Sequence, residues 1–288
     1  MELQWPLILF TSFVAGSAGV LCAQGVYALA GKGQKAQMPA TIASLVLLAI
    51  GGIAVFFHLT HPDRIFNGFG HMTSGITQEL IAIVIVAVLL VLFFVFARRE
   101  DGGIPKWLGI LAIVGALALL IVMGHSYMVS SRPAWNSILQ VCSLIGAAAA
   151  IGTGAFAALD AANDEDSPLH GTLTIAGTAI GAICTAAYAF VMNSATGSFT
   201  SVGNYFDPTH PTHGMVDPAS FSPMAGSNMG LTIGAIAFMV AALALAFWGK
   251  SSKKWSTAGW AIAACALVSA ILLRMAFYNA GGSVFLFY

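Results

Sequence analysis

The chain has 288 residues, of which 58% are hydrophobic and only 8% charged, and its net charge is zero. Soluble domains carry about a quarter charged residues, so this composition excludes an ordinary soluble fold and leaves no length for a separate soluble domain. The charge balance also argues against a nucleic-acid partner.

A helix needs about 20 apolar residues to cross the hydrocarbon of a bilayer. Eight runs reach that length: Trp5–Ala30, Gln37–His58, Ile76–Ala97, Trp107–Met128, Asn136–Leu159, His170–Met192, Ala225–Trp248 and Ser256–Tyr278. They predict a single membrane domain over 1–288, an all-α integral membrane protein built as an eight-transmembrane-helix bundle. The first run is longer than a signal-peptide core, and no small-residue cleavage site clearly follows it, so it is read as a retained helix. Lys32 and Lys35 lie between runs one and two, Arg98, Arg99 and Lys106 between three and four, and Lys250, Lys253 and Lys254 between seven and eight. The opposite connections hold only Arg64 and Arg132, and Arg274 falls within the eighth run. Lys and Arg collect on the cytoplasmic side of short loops, so both termini are expected outside. The connection from Asp160 to Ser167 is acidic, which contributes little to that rule. No sequence repeat is evident. Gly146, Gly152, Gly154, Gly177, Gly181 and Gly234 suit close helix packing.

Cys22, Cys142, Cys184 and Cys265 each stand alone within a predicted helix. Without a CxxC pair, neither an iron–sulfur cluster nor a zinc site is written in the chain, and they read as small apolar core residues. Six of the seven histidines fall on the expected outer side: His58, His61, His71, His125, His210 and His213. The densest polar stretch joins runs two and three. It reads His58-Leu59-Thr60-His61-Pro62-Asp63-Arg64-Ile65-Phe66-Asn67, followed by Thr77-Gln78-Glu79. Antiparallel neighbours bring His58 and Glu79 to similar depth. An imidazole and a carboxylate there suit a hydrophobic two-proton carrier such as a quinol, whose hydroxyls need proton acceptors on oxidation. The plainer alternative is that each merely complements a helix end. His125 and Tyr127 lie near the outer end of run four. His58 and His125 are also a candidate haem pair, although a quinol site without haem is the reading taken. The longest connection carries Pro208 and His210-Pro211-Thr212-His213 between Asp207 and Asp217. That spacing suits a metal, but the proline and loop setting make it unspecific, and a partner-docking surface is the reading taken. Arg274 is either snorkelling or paired with a carboxylate or a bound carrier.

These segments resemble the membrane anchor subunits of the dimethyl sulfoxide reductase family (DmsC-like). The resemblance rests on His58-Leu59, Pro62, Arg64 and Phe66-Asn67, followed by Glu79-Leu80-Ile81-Ala82. Trp5-Pro6-Leu7 with Phe10-Thr11, Pro133-Ala134-Trp135, and Arg274 with Phe277-Tyr278 extend it over most of the chain. His61, His71, His125 and the His-Pro-Thr-His loop depart from the family pattern. The resemblance implies an anchor in a bacterial cytoplasmic (inner) membrane. It implies menaquinol oxidation near the outer (periplasmic) face, with protons released outside. Electrons would pass to an iron–sulfur subunit and on to a molybdopterin catalytic subunit, both on the outer face. No haem, iron–sulfur cluster or metal is expected in this chain. The histidine position tied to quinol carries over to His58, and Glu79 to the matching polar position. His61, Arg64, Asn67, His125 and Tyr127 are assigned supporting places in the pocket, and Pro208, His210 and His213 partner docking. The alternatives are a polysulfide-reductase-type (NrfD-like) quinone subunit and a small-solute transporter.

Overall fold

Lipid offers no partner to a backbone amide, so an apolar run of bilayer length satisfies its own amides only as a helix. A computed structural model describes residues 3–59, 61, 64, 67, 69–99, 103–163, 167–200 and 218–283. Among these residues there is no strand, and eight helices are long and apolar enough to cross a membrane. They are α1 (Trp5–Leu29), α2 (Gln34–Phe56), α3 (Gly75–Ala97), α4 (Lys106–Ser126), α5 (Ile138–Ala162), α6 (Leu169–Ala195), α7 (Gly226–Ser252) and α8 (Trp255–Asn279). A helical turn at Gly197–Thr200 and a 3₁₀ turn at Pro218–Phe221 lie between α6 and α7.

Two boundaries differ from expectation in ways that matter for function. Helix α2 stops at Phe56, so His58 is not its last residue. The amides of Phe57, His58 and Leu59 reach back only three residues, to the carbonyls of Ala54, Val55 and Phe56. This tightened turn closes the helix and carries His58 out of the α2 cylinder. Helix α5 runs on to Ala162, so Asp160, expected in a loop, is part of a helix and fully buried.

Helix α1 packs on α2 and α4, and α3 completes that group; α5 packs on α6 and α8, and α7 completes the second. The two halves therefore repeat one pattern of neighbours. They meet along α1 and α5, the two most buried helices. Glycine makes this seam possible. A Cβ built on Gly19 would stand 2.0 Å from the Ala148 carbonyl oxygen, and one on Gly152 2.0 Å from that of Gly19. The helices are in backbone contact, which only small residues permit.

Buried polar bonds add register between α1 and α2. Gln24 Nε2 donates to the Gln37 carbonyl at 3.0 Å and to Thr41 Oγ1 at 2.8 Å, and the Ser17 and Ser44 hydroxyls pair at 2.9 Å. Gln24→Leu leaves buried acceptors without their donor and is expected to cost about 1–2 kcal/mol, read as a lower melting temperature in detergent. An unchanged melt would show that this network does not stabilise the fold.

Candidate functional site: a pocket at one end of the bundle

The charged loop residues separate the two ends. Lys32, Lys35, Arg98, Arg99, Lys106, Lys250, Lys253 and Lys254 flank one end, where α1, α3, α5 and α7 finish. The other end collects the starts of α1 and α3 and the finishes of α2 and α4. There a cavity of about 450 Å³ opens among those four helices. Ligand pockets run from about 300 to 1,000 Å³, so this volume suits an organic molecule.

The walls are largely apolar. Leu7 and Phe10 come from α1, Val55 from α2, and Ile76, Leu80 and Ile83 from α3. Ile76 is 68% exposed, so the cavity opens sideways on the lipid-facing flank of α3. The polar groups are few: His58 at the mouth, Glu79 within, and Ser74, Ser126 and Tyr127 around them. Helix α3 buries Thr77, Glu79, Ala82, Val86, Leu89, Leu90 and Phe93, at helical spacing. That stripe turns Glu79 towards the interior rather than the lipid. Glu79 is 8% exposed, and Ser126 Oγ lies 3.0 Å from its Oε1 and 2.9 Å from the Met123 carbonyl, sharing its one proton between them. His58 is exposed. The pocket thus pairs an exposed imidazole with a buried carboxylate across an apolar slot.

Tyr127 forms the back wall and joins the site to a second layer. Its ring meets Trp135, Phe277 and Tyr278 edge-on, at 6.3, 5.9 and 6.4 Å between centroids. Trp135 stacks on Phe277 at 4.5 Å, and its Nε1–H donates to the Phe277 carbonyl at 2.7 Å. Arg132 lies over the Trp135 ring and donates to the Gly281 carbonyl. The segments Pro133-Ala134-Trp135 and Arg274…Phe277-Tyr278, far apart in sequence, are therefore one aromatic buttress behind the pocket.

Of the residues singled out from sequence, His58, Glu79 and Tyr127 line this cavity. His61, Arg64, Asn67 and His125 are exposed and outside its lining. Pro208, His210 and His213 lie outside the described residues, as do Pro62 and Phe66 of the motif. Ser126 and Ser74 carried no signal in the sequence, and Leu7 and Phe10 entered only through the family resemblance, without a place in the pocket. Only the antiparallel pairing of α3 with α4 brings Ser126 to Glu79.

The second half holds a neutral counterpart. Asn228, near the start of α7, accepts at 2.8 Å from Asn279 at the finish of α8, as Glu79 near the start of α3 meets Ser126 at the finish of α4. Asn228 also donates to the Ser222 carbonyl at 3.3 Å, so the connection before α7 occupies that position. At the lysine-rich end, Tyr27 Oη and His170 Nδ1 lie 2.7 Å apart and His170 Nε2 lies 3.3 Å from Asp160 Oδ2, all fully buried. This trio ties α1, α5 and α6 together. A smaller cavity of about 100 Å³ near that end, lined by Cys22, Leu117, Thr153 and Leu173 among others, includes no ionisable side chain other than the Cys22 thiol. Among the described residues no group of three His, Cys, Asp or Glu is placed to hold a metal ion.

A search of curated proteins gave no match. One family model, described as DMSO reductase anchor subunit (DmsC), matches residues 1–278, nearly the whole chain. With eight apolar helices and that match across both halves of the bundle, this multi-pass membrane protein belongs to the DMSO reductase anchor subunit family.

Proposed function

We propose that the chain oxidises a quinol, menaquinol by its family resemblance, in the pocket between the ends of α1, α2, α3 and α4. The observation that carries this reading is a single apolar cavity, walled in part by the exposed Ile76 of α3, that both His58 and Glu79 line. A quinol reaches such a cavity from the bilayer, where its ring and tail partition. On oxidation it becomes a quinone and gives up two protons and two electrons. His58 accepts one proton at the mouth and passes it to water. Glu79 accepts the other from its seat against Ser126 and relays it outward. The electrons leave to an iron–sulfur partner over this end of the bundle and then to a molybdopterin subunit. The lysines and arginines at the far end support, under the positive-inside rule, an orientation with the pocket on the outer face, in which both protons leave to the outside. The family membership supports the partners, and the pocket's chemistry supports the carrier. The connection containing Pro208, His210 and His213 is proposed as part of the partner's docking surface.

His58→Ala is expected to lower quinol-driven turnover of the assembled complex by about 10²-fold or more, the range of a lost general base. Binding of a quinol-analogue inhibitor should weaken in parallel. Turnover and inhibitor binding both unchanged would overturn the assignment.

A further inference from the structure

Behind the aromatic buttress lies a charge that the pocket reading does not use. Arg274, on α8, is 4% exposed. Its guanidinium lies over the Phe277 ring at 4.9 Å. Neither Nη1 nor Nη2 has a hydrogen-bond partner among the described residues. An unpaired buried cation is expensive inside a membrane bundle, and it normally finds a counter-charge. The space beside it does not supply one. The cavity that Arg274 shares with Ser12, Ser143 and Thr185 measures about 10 Å³, room for a single water at most, and excludes a carboxylate or phosphate ligand.

The described residues include only two carboxylates, Glu79 and Asp160. Asp160 lies at the lysine-rich end, beside His170. Glu79 lies at the same end as Arg274, and one aromatic wall joins them: Tyr127 lines the Glu79 cavity and its ring meets Phe277, over which Arg274 lies. The groups that act on Arg274 are Tyr127, Tyr278 and Tyr188, which are neutral phenols, and the other cation of this layer, Arg132, lies over the Trp135 ring and donates to the Gly281 carbonyl. The Tyr188, Phe277 and Tyr278 side chains of this layer are buried, so a charge there is screened less than it would be in water.

We propose that Arg274 is a positioning residue for the quinol site, the permanent counter-charge that lets Glu79 exist as a carboxylate beneath the aromatic wall. This rests on the pocket being the quinol site. When Glu79 holds a quinol proton the pair carries one positive charge, and when the proton leaves the pair is neutral. Arg274 therefore favours the return of Glu79 to its proton-accepting form after each turnover, without touching the carrier.

The test is a double-mutant cycle on the assembled complex, with kcat and KM for a quinol and the melting temperature measured for each variant. Arg274→Gln should lower kcat at least tenfold with KM changed less than threefold, and Arg274→Lys, which keeps the charge, should recover most of the loss. Glu79→Gln with Arg274→Gln should turn over no more slowly than Glu79→Gln alone, and melt no lower, because the isolated charge is gone as well. Independent, multiplying losses, or a lysine variant as impaired as the glutamine variant, would overturn the proposal while leaving the quinol site standing. Full activity in Glu79→Gln would overturn both. Should Arg274→Gln fail to assemble, the lysine variant decides: kcat within about threefold of wild type supports a charge role, and a tenfold loss refutes it.

Discussion

Glutamine in place of Glu79 is expected to lower quinol-driven turnover by about 10²–10⁴-fold, the range over which a positioned proton acceptor contributes. The substitution preserves shape. Its carbonyl oxygen still accepts from Ser126 at the position where Oε1 stands 3.0 Å away. Val86, Leu90 and Phe93, farther along the same buried face of α3, are untouched. What is lost is the ability to take a proton in a place where water does not substitute, because Glu79 is only 8% exposed. His58 at the wet mouth has water as an alternative acceptor, so its loss is expected to sit at the lower end of that range. The comparison is made on assembled complex, with an artificial donor feeding the partner directly as the control for assembly. Equal quinol-driven rates in Glu79→Gln and wild type would contradict the mechanism.

Valine at Gly152 is expected to have the largest effect on stability. A Cβ there would lie 2.0 Å from the Gly19 carbonyl oxygen and 2.2 Å from its carbon. Neither atom belongs to a flexible side chain, so α1 and α5 must separate, and the halves of the bundle join mainly along this seam. Overpacking of ordinary cores costs about 1–3 kcal/mol, and a clash between two helix backbones is expected to reach or exceed the upper figure. The readout is a lost or sharply lowered melting transition, with poor recovery of the complex. Gly52→Ala is the control. That glycine is also helical, yet nothing lies within 4 Å of its added Cβ, so alanine should be neutral or mildly stabilising. A Gly152→Val protein that melts like wild type would refute the backbone contact at the seam.

The spans were legible because lipid imposes a local rule: about 20 apolar residues in a row must be helical. Rotation about each helix axis was not legible, since runs such as that of α3 are apolar on every face, and only packing decides which stripe turns inward. His58 and Glu79 stood out because polar residues at the ends of such runs are rare. Their shared depth followed from antiparallel neighbours alone. The meeting of Ser126 with Glu79 and of Tyr127 with Phe277 and Tyr278 was hidden for one reason: each depends on contacts between segments dozens of residues apart. Asp160 reads in the sequence as the start of an acidic connection, but it is buried against His170, which Tyr27 of a third helix holds in turn. The repeated neighbour pattern of the two halves leaves no sequence repeat, because Glu79 and Ser126 answer to Asn228 and Asn279, residues of different chemistry.

The central claim is the location of the carrier. A photoactivatable quinone analogue with an isoprenoid tail, activated in membranes holding the assembled complex and mapped by peptide mass spectrometry, tests it most directly. Label is expected on Leu7, Val55, Leu59, Ile76, Leu80 or Ile83, suppressed by excess unlabelled quinol and weakened in His58→Ala. Competed label on Cys22, Leu117 or Leu173, around the small cavity near the lysine-rich end, would contradict it.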